Sequence, residues 1–345
     1  MVLGSIRTTV SRGKMKSKDG WNAEKLLNTA GSYWEACTLH AGVQLELFTR
    51  IGDNYIAAEE LARRLNGDVR GFTMLLNALV AMDLLIKKNN RYANTSASNT
   101  FLNKQSPKYI GYLIAHHYHT VKAWSQLTEA VTKGKPVRQR PFDDEEERES
   151  FLMGMFNLAM ANAPQLATKI DLHDKRHLLD LGGGPGTYAI HFCLANPQLR
   201  ATIFDLPTTQ PFALRTVKQF GLEDRIDFMA GNYVEENIEG SYDVAWLSHI
   251  LHGEGADDCQ RIIQKVVSVL EPGGLILIQD FILEDTLDHP LFPAIFSLNM
   301  LINTPQGQSY SETQIREMLA RAHIKEMSRM PYRGPNDSGI IYGTV

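Results

Sequence analysis

The sequence predicts an α/β protein in which a mostly helical N-terminal part precedes a doubly wound, mostly parallel sheet of seven strands. From about residue 22 to residue 170, apolar residues recur at helical spacing. From residue 176 onwards, short and nearly continuous apolar runs alternate with helical segments. Strands of that character are covered on both faces, as in a parallel sheet with helices on each side.

The length of 345 residues suggests two domains, at roughly 150 residues per domain. We expect a helical domain with a winged-helix-like part over residues 21–170 and a sheet domain over residues 171–345. Residues 1–20 mix basic residues with Ser, Thr and Gly, which predicts a disordered leader and makes Met15 an alternative start. The acidic run DDEEERES from Asp143 predicts the solvated start of a helix near the domain junction.

The segment AAEELARRLNGDVRGFTMLLNALVAMDLLIKKNNRYANT has the order of a winged helix-turn-helix. A short helix precedes a turn at Asn66-Gly67, a second amphipathic helix and a polar hairpin from Ile86 to Tyr92. DNA binding would place the second helix in a groove. From Arg70 to Ile86 the charged residues are one arginine and one aspartate, so a basic face is lacking. We favour a helical module that buries apolar faces against a second subunit.

The sheet domain is predicted from short apolar runs with helices between them. The five parallel strands are RHLLDLG, RATIFDLP, IDFMAGN, SYDVAWLSHIL and LILIQDFIL, and the closing pair is IKEMSRM and GIIYGTV. The predicted helices are TYAIHFCLANP, the stretch up to Gly221, and a segment from about Asp257 to Leu270.

Composition excludes several classes of protein. Thirty-five basic and 39 acidic side chains give a net charge of -4, so no global basic field attracts nucleic acid. The three cysteines, Cys37, Cys193 and Cys259, are widely spaced and predict neither a disulfide framework nor a zinc knuckle. A reducing cytoplasm is the setting that this favours. No apolar run approaches the roughly 18 residues that span a bilayer, so no membrane partner is expected.

A glycine-rich turn, DLGGGPG, follows the first strand of the sheet from Asp180 to Gly186. Such a turn lets a ligand approach the backbone, and the next helix start favours an anionic group. Asp205 ends the following strand, 19 residues after Gly186 (205 − 186), where an acidic side chain can bind ribose hydroxyls. Thr187 stands where a dinucleotide fingerprint needs glycine, which favours a cofactor without a pyrophosphate. The alternative is that these glycines only allow a tight turn and do not contact a ligand.

His252 lies just past a strand end in SHILHGEG, at the carboxyl edge of the sheet where ligands of such folds bind. It forms an HxxH pair with His249, and His116, His117 and His119 form a second cluster. A metal site would need further carboxylate or cysteine ligands in suitable spacing, so no metal is predicted at either place. The second cluster is expected to line a pocket or to cap a helix.

The chain resembles the S-adenosylmethionine-dependent small-molecule O-methyltransferases, which include plant caffeic acid enzymes and bacterial polyketide-tailoring enzymes. The motifs that carry the resemblance are LLDLGGGPG, IFDLP, AGNYVEE, LSHILHGEGADDC, EPGGLILIQDFIL and LNMLINTPQGQSYSETQIREML, in this order. It extends from about residue 25 to the last strand. It implies a class I methyltransferase fold, S-adenosyl-L-methionine as cofactor, S-adenosyl-L-homocysteine as product, and a homodimer formed through the N-terminal domain. The implied acceptor is a hydroxyl of an aromatic or polyketide-like small molecule.

The resemblance also implies a set of cofactor-binding residues. Asp180, Gly182 and Gly184 would contact the methionyl part, Asp205 the ribose, Leu206, Asn232 and Tyr233 the adenine, and Ser248 lies where some relatives have lysine. Many relatives have aspartate in place of Asn232. The amide carbonyl of an asparagine can still accept a hydrogen bond from the adenine amine.

The implied catalytic pair is His252 as general base and Asp280 as the carboxylate that orients its imidazole. Many relatives continue the histidine with Asp-Trp, where this chain has Gly253 and Glu254. A second carboxylate of the plant enzymes would align near Ser309, so a His-Asp dyad remains. The residues implied to shape the acceptor cavity are Met155, Phe156, Met300 and Asn303.

Two alternative functions stay open at the level of sequence. Members of the same family methylate carbon or nitrogen, and a few use the bound cofactor for decarboxylation or hydroxylation without methyl transfer. A cofactor-sensing DNA-binding regulator is the alternative of another class, and the missing basic face argues against it.

Overall fold

The chain forms a helical N-terminal part with a small sheet and a C-terminal part built on a seven-stranded sheet. The structure, a computed structural model, describes residues 20–138 and 144–345. The predicted leader up to residue 19 and the first acidic residue, Asp143, lie outside the described residues. Within the described ranges, no helix is both long and apolar enough to cross a membrane.

The N-terminal part consists mainly of helices. Its helices are α1 (Ala23–Gly31), α2 (Tyr33–Gln44), α3 (Leu47–Ile51), α4 (Ala58–Arg64), α5 (Val69–Ala81), α6 (Ser96–Phe101), α7 (Gly111–Trp124), α8 (Leu127–Lys133), α9 (Glu145–Met160) and α10 (Ala163–Ala167). Its strands are β1 (Ile56–Ala57), β2 (Leu85–Lys88) and β3 (Arg91–Asn94). Because β3 pairs antiparallel with both β1 and β2, the helix, turn, helix and hairpin occur in the predicted order.

Side-chain caps define several of these helix starts. The Asp68 carboxylate accepts a hydrogen bond of 2.8 Å from the backbone N–H of Gly71 at the start of α5. Asp144 accepts one of 3.0 Å from the N–H of Glu147 at the start of α9. Each cap satisfies a backbone donor that has no partner within the helix. The helix start predicted from the acidic run is therefore confirmed from Asp144 onwards.

The apolar face of α5 packs inside the N-terminal part. Phe72, Leu76 and Leu79 are buried in one core with Phe48 and Leu61. Residues of α3 and α4 cover this face of α5, and the expected contact of the segment with a second subunit stays a prediction. Exposed apolar side chains remain within this segment, with Met74 as an example, and α1 has no buried residue.

The C-terminal part alternates strands and helices. Its strands are β4 (His177–Leu181), β5 (Arg200–Asp205), β6 (Ile226–Ala230), β7 (Tyr242–Ser248), β8 (Leu270–Phe281), β9 (Lys325–Arg329) and β10 (Ser338–Thr344). Its helices are α11 (Thr187–Ala195), α12 (Gln210–Gln219), α13 (Ala256–Ser268), α14 (Leu291–Asn303) and α15 (Glu312–Arg321).

The sheet has the order β6-β5-β4-β7-β8-β10-β9. The first five strands run parallel, and β10 is antiparallel to both β8 and β9. The predicted mostly parallel seven-stranded sheet is thus confirmed. Strand β8 starts earlier than the run LILIQDFIL, because Leu270 pairs with Tyr242 before a shift in register to the Val244–Leu275 pair.

Both faces of the sheet are buried, which explains the continuous apolar runs. Leu179 and Ile278 belong to a core that includes residues of α13 and α15. Leu178 and Trp246 belong to a second core that includes residues of α11 and α12. The carboxyl ends of the parallel strands meet at one edge, where the candidate site lies.

Candidate active site

The glycine-rich turn joins β4 to α11 and is held against its neighbours. Gly182 has φ +63° and Gly184 has φ +55°, in the left-handed region that favours glycine. A Cβ on Gly182 would lie 2.5 Å from Cγ2 of Ile250, so no side chain fits there. A Cβ on Gly184 would meet no atom of the described part of the chain within 4 Å. The turn therefore packs closely at Gly182 and faces open space at Gly184, as a backbone that receives a ligand does.

Asp205, at the end of β5, ties that strand to the glycine-rich turn. Its Oδ2 accepts a hydrogen bond of 2.8 Å from the N–H of Gly184. Its Oδ1 accepts bonds from the N–H of Leu206 at 2.7 Å and the hydroxyl of Thr209 at 3.1 Å. Burial raises the pKa of the Asp205 carboxyl, although these three bonds act in the opposite direction. The carboxylate is thus fixed beside the turn, where the sequence predicted a ribose contact.

Asp180 is buried at the end of β4 with one oxygen unsatisfied. Its Oδ2 accepts a hydrogen bond of 3.2 Å from the N–H of Ala189, while Oδ1 is buried and has no hydrogen-bond partner among the residues that the structure describes. Burial, together with the charge of the nearby Asp205, raises the pKa of this carboxyl to about 7, although the Ala189 hydrogen bond acts in the opposite direction. A buried, unsatisfied carboxylate fits a ligand that brings a donor or a positive charge.

The other predicted cofactor residues lie at neighbouring strand ends. Tyr233 comes within 3.3 Å of a Cβ built on Gly182, so it borders the glycine-rich turn. Asn232 forms a local turn, because its Oδ1 accepts a 3.0 Å hydrogen bond from the N–H of Val234. The adenine contact predicted for Asn232 would use the second lone pair of this oxygen. Ser248, at the end of β7, donates 3.2 Å to Oε1 of Gln279.

His252 and Asp280 are brought together from different elements. His252 lies in a short 3-10 turn, Leu251–Gly253, after β7. Asp280 is the penultimate residue of β8. Nδ1 of His252 lies 2.6 Å from Oδ1 of Asp280. The same carboxylate accepts from the backbone N–H of Phe281 at 2.8 Å and of His252 at 3.3 Å. Since an ionised carboxylate only accepts hydrogen bonds, Nδ1 carries a proton, and in the neutral imidazole Nε2 then has the lone pair.

The charge on Asp280 is maintained by its neighbours. Burial alone would raise the pKa of this carboxyl, yet the charge interaction with His252 and the nearby imidazole of His249 hold the pKa below its ordinary value. Asp280 is thus an ionised, buried acceptor, the partner that an imidazole acting as a base requires.

Two protein families match this chain, one in each part. Residues 124–324 match the O-methyltransferase domain family and residues 27–104 match the O-methyltransferase dimerisation domain family. The chain belongs to the O-methyltransferase family. It is 30% identical over 325 residues to a 3-hydroxy-5-methyl-1-naphthoate 3-O-methyltransferase of Streptomyces sahachiroi, covering 92% of this chain and 94% of that protein.

Two further similarities extend over most of this O-methyltransferase. It is 29% identical to the tetracenomycin polyketide synthesis 8-O-methyl transferase TcmO of Streptomyces glaucescens, covering 91% of this chain and 95% of that protein. The structure of human N-acetylserotonin methyltransferase in complex with SAM matches with a TM-score of 0.81 and 22% identity, covering 95% of this chain and 99% of that one. The fold is therefore that of the class I methyltransferases, as predicted.

The cofactor of this O-methyltransferase is S-adenosylmethionine. The residues present fit such a group. The orphan Oδ1 of Asp180 suits the cationic methionyl part, and the open backbone at Gly184 leaves room for the ligand beside Asp205.

An aromatic wall around the imidazole of the O-methyltransferase was not predicted from the sequence. Phe281 stacks on His252 with ring centroids 5.7 Å apart at 17°, and Phe296 meets His252 edge-on at 4.8 Å. Phe292 packs against both phenylalanines, at 4.9 and 5.8 Å. The spacing of Phe292 and Phe296, one helical turn apart in LFPAIF, was a signal for a shared face on α14.

The predicted acceptor residues of this O-methyltransferase are distributed over two helices. Met300 and Asn303 are buried on α14, the helix that carries Phe296. The Asn303 amide nitrogen donates to the carbonyl of Asn299 at 2.7 Å and contacts Oδ1 of the same residue at 3.3 Å. Met155 and Phe156 are half-buried on α9, and their place in the acceptor cavity stays a prediction.

The remaining predicted positions are the histidine cluster on α7 and Ser309, which follows α14. His116, His117 and His119 lie inside α7, so they do not cap that helix. Burial lowers the pKa of both His117 and His119. Ser309, which stands near the second carboxylate position of the plant enzymes, is buried, and its Oγ has no hydrogen-bond partner among the described residues.

Proposed function

We propose that this O-methyltransferase transfers a methyl group to a hydroxyl of an aromatic or polyketide-like small molecule. His252 acts as the general base and Asp280 orients its imidazole. The observation that carries this proposal is the 2.6 Å contact between Nδ1 of His252 and Oδ1 of Asp280, which leaves Nε2 as a proton acceptor. The side chain of His252 retains 13% exposure, so its ring edge is accessible to a small molecule.

The energetics of proton removal are compatible with this dyad. A phenolic hydroxyl has a pKa near 10 and an imidazole near 6.5, so full transfer is uphill by about 3.5 units or roughly 5 kcal/mol. Asp280 offsets part of this cost because its negative charge stabilises the imidazolium that forms. When bound, S-adenosylmethionine supplies the electrophilic methyl group. The phenylalanines around His252 exclude water from the hydroxyl that loses its proton.

The aromatic wall supports a flat, apolar acceptor. Phe296 and Phe281 lie 4.6 Å apart by ring centroid and present ring surfaces next to the base. Aromatic rings favour offset or edge-to-face contacts with such surfaces. The naphthoate and polyketide acceptors in the names of the two relatives have this shape. We propose Met155, Phe156, Met300 and Asn303 as further cavity residues.

We propose that the cofactor is held along the strand ends in the way the resemblance implies. The residues are Asp180, Gly182 and Gly184 for the methionyl part, Asp205 for the ribose, Leu206, Asn232 and Tyr233 for the adenine, and Ser248 at the edge of the site. The unsatisfied Oδ1 of Asp180 and the closely packed backbone at Gly182 support this arrangement.

We further propose a homodimer formed through the N-terminal domain, residues 21–170, next to a catalytic domain of residues 171–345. Large apolar side chains at the chain start support it, since Leu27 is 73% and Trp34 is 68% exposed. Exposed apolar surface of this kind marks an interface. A cytoplasmic location is proposed from the cysteines, which are not in disulfides.

The test compares His252→Ala with the wild type in two assays. Turnover of a panel of phenols and hydroxynaphthoates is followed by S-adenosylhomocysteine release, and cofactor affinity is measured by calorimetry with S-adenosylhomocysteine. We expect turnover to fall by about 10²- to 10⁴-fold with affinity nearly intact. His173→Ala, an exposed histidine beside Asp171, is the matched control. Unchanged turnover in His252→Ala would contradict the assignment of the base.

A further inference from the structure

A second histidine approaches the carboxylate of the dyad. His249 directly follows β7, and its Nδ1 lies 3.7 Å from Oδ1 of Asp280. This Nδ1 is buried and has no hydrogen-bond partner within residues 20–138 and 144–345. Its backbone has φ +56°, the left-handed region, and is held there by a 2.8 Å hydrogen bond from its N–H to the carbonyl of Gln279. A non-glycine residue held in this region at a functional site indicates a geometric requirement.

The three side chains form a compact set of metal-ligand atoms. One ligand atom from each of His249, His252 and Asp280 lies within 4.8 Å of the others. Across residues 20–138 and 144–345, this is the one group of three or more histidine, cysteine or acidic side chains with that spacing. In the sequence, the HxxH pair has no third ligand in suitable spacing. In the fold, Asp280 of β8 provides this third ligand.

We propose that His249, His252 and Asp280 form a binding site for a divalent transition-metal ion of the Zn²⁺ type. Two imidazole nitrogens and one carboxylate oxygen are ligands that Zn²⁺ prefers. Ligand atoms of a tetrahedral zinc ion lie about 3.3 Å apart, given bonds of about 2.0–2.1 Å. The nitrogen-to-oxygen distances of 2.6 Å and 3.7 Å bracket that value, and all three ligand atoms lie within 4.8 Å of one another, so side-chain shifts on the order of 1 Å close the site.

Phe281 holds the two imidazole rings and the Asp280 carboxylate in place, which favours the binding of a single ion between them. The ring of Phe281 lies 4.4 Å from that of His249 and 5.7 Å from that of His252, so both imidazoles pack on the same phenylalanine. The backbone N–H of Phe281 also fixes the Asp280 carboxylate at 2.8 Å. Ligands that are ordered before binding lose little conformational entropy when the ion arrives.

Metal binding at this site opposes the proposed catalytic role of His252. Zn²⁺ takes the lone pair of Nδ1, and the proton formerly on Nδ1 moves through solvent to Nε2. The imidazole then presents an N–H toward the acceptor in place of a lone pair, so it no longer accepts a proton. The ion is therefore inhibitory. This consequence rests on the proposed function, whereas the binding itself does not.

The binding test uses the tag-free full-length protein without added cofactor. Zn²⁺ is titrated by calorimetry, and Co²⁺ by the visible absorption that a tetrahedral site produces. We expect one equivalent to bind in the wild type and affinity to fall about 10-fold or more in His249→Asn, because asparagine tolerates positive φ but is a poor ligand. His173→Asn, from an exposed His–Asp pair, should leave this affinity unchanged.

Folding of the variant is checked by its melting temperature and by its S-adenosylhomocysteine affinity, and His249→Gln serves as the second variant. Absence of saturable binding in the wild type, or an affinity in both His249 variants equal to that of the wild type, would overturn the site. The functional arm measures turnover with and without Zn²⁺ and after addition of a chelator. If Zn²⁺ binds without any loss of turnover, the metal site is supported and the role of His252 as the base is contradicted. Failure of the metal site and failure of the base assignment are therefore distinguishable.

Discussion

Nδ1 of His252 donates a 2.6 Å hydrogen bond to Oδ1 of Asp280, and the backbone N–H of His252 points to Oδ2 of the same carboxylate at 3.3 Å. Side chain and main chain of the histidine thus both bind one buried carboxylate. This double contact orients the ring and fixes its tautomer.

Asp280→Asn should lower turnover by about 10²- to 10⁴-fold, because an amide at this position can donate to Nδ1 and favour the tautomer with the proton on Nε2. S-adenosylhomocysteine affinity should stay within about 3-fold of the wild type, since Asp280 is proposed to act only on His252. Steady-state kinetics and calorimetry check both values. Asp285→Asn, at an exposed carboxylate that accepts from Thr313, is the control. Equal losses in the two variants would argue against a specific role for Asp280.

Asp180 should make the folded protein less stable as the pH rises. Its pKa is raised by burial from 3.8 in an unfolded chain to about 7 in the fold, so the folded state holds this proton more tightly. The stabilising effect is complete below pH 3.8 and is lost as the pH increases toward 7. Asp180→Asn has no such titrating group, so its unfolding free energy should not fall in this way. The unfolding free energy of the variant minus that of the wild type should therefore grow by about 2 kcal/mol between about pH 5.5 and pH 8.

Urea unfolding of the cofactor-free protein at several pH values measures this advantage. Asp227→Asn, at an exposed carboxylate 3.9 Å from Arg200, should show no such growth. The same Asp180 variant should bind S-adenosylhomocysteine more weakly, because the buried negative charge is gone. A pH-independent difference between wild type and Asp180→Asn would contradict the raised pKa.

Gly184→Ala separates the ligand-binding role of the glycine-rich turn from its backbone strain. The added Cβ meets nothing within 4 Å, so the cost to folding should be only the left-handed backbone, about 1–2 kcal/mol. Because that open space is where the cofactor is proposed to lie, S-adenosylhomocysteine affinity should fall about 10-fold or more. Gly221→Ala is a matched control, since it has φ +66° and also meets nothing within 4 Å. Equal affinities in the two variants would contradict the placement of the ligand.

Much of the sheet and its edge was predictable from sequence because these features are local. The apolar runs determine the strands, and residues directly after parallel strands, such as Asp180 and Asp205, must meet at one edge. The aromatic wall was not predictable in the same way. Phe281 and Phe296 come from different elements, and only the packing of α14 beside His252 brings them together.

The proximity of His249 to Asp280 illustrates the same limit. The HxxH pair was visible, but its third partner lies 31 residues after His249 (280 − 249) in another strand. The pairing of β7 with β8, Ser248 opposite Gln279, is what brings them together. The apolar face of α5 shows the reverse case, since periodicity predicts that a face is buried without specifying what covers it.

Phe296→Leu should weaken acceptor binding while leaving cofactor binding unchanged. Phe296 packs edge-on to His252 at 4.8 Å, and loss of an aromatic contact costs about 0.5–1.5 kcal/mol beyond the change in buried area. We therefore expect KM for an aromatic acceptor to rise about 3- to 15-fold. Phe101→Leu, at an exposed phenylalanine of α6, should change neither value. A larger effect on S-adenosylhomocysteine affinity than on KM would place Phe296 in the cofactor site instead.

Trp34→Lys should convert the proposed dimer into monomers. Trp34 is 68% exposed on α2 and Leu27 is 73% exposed on α1, so both apolar side chains are available to a partner surface. In a two-fold dimer each substitution acts twice, and loss of a tryptophan at the centre of an interface costs 2 kcal/mol or more per copy. We expect each of the two substituted copies to raise the dimer dissociation constant at least about 30-fold. Light scattering on a dilution series measures this constant. Leu214→Lys, at a 49% exposed leucine of α12, should leave the mass unchanged, and a wild-type protein that is monomeric throughout would contradict the dimer.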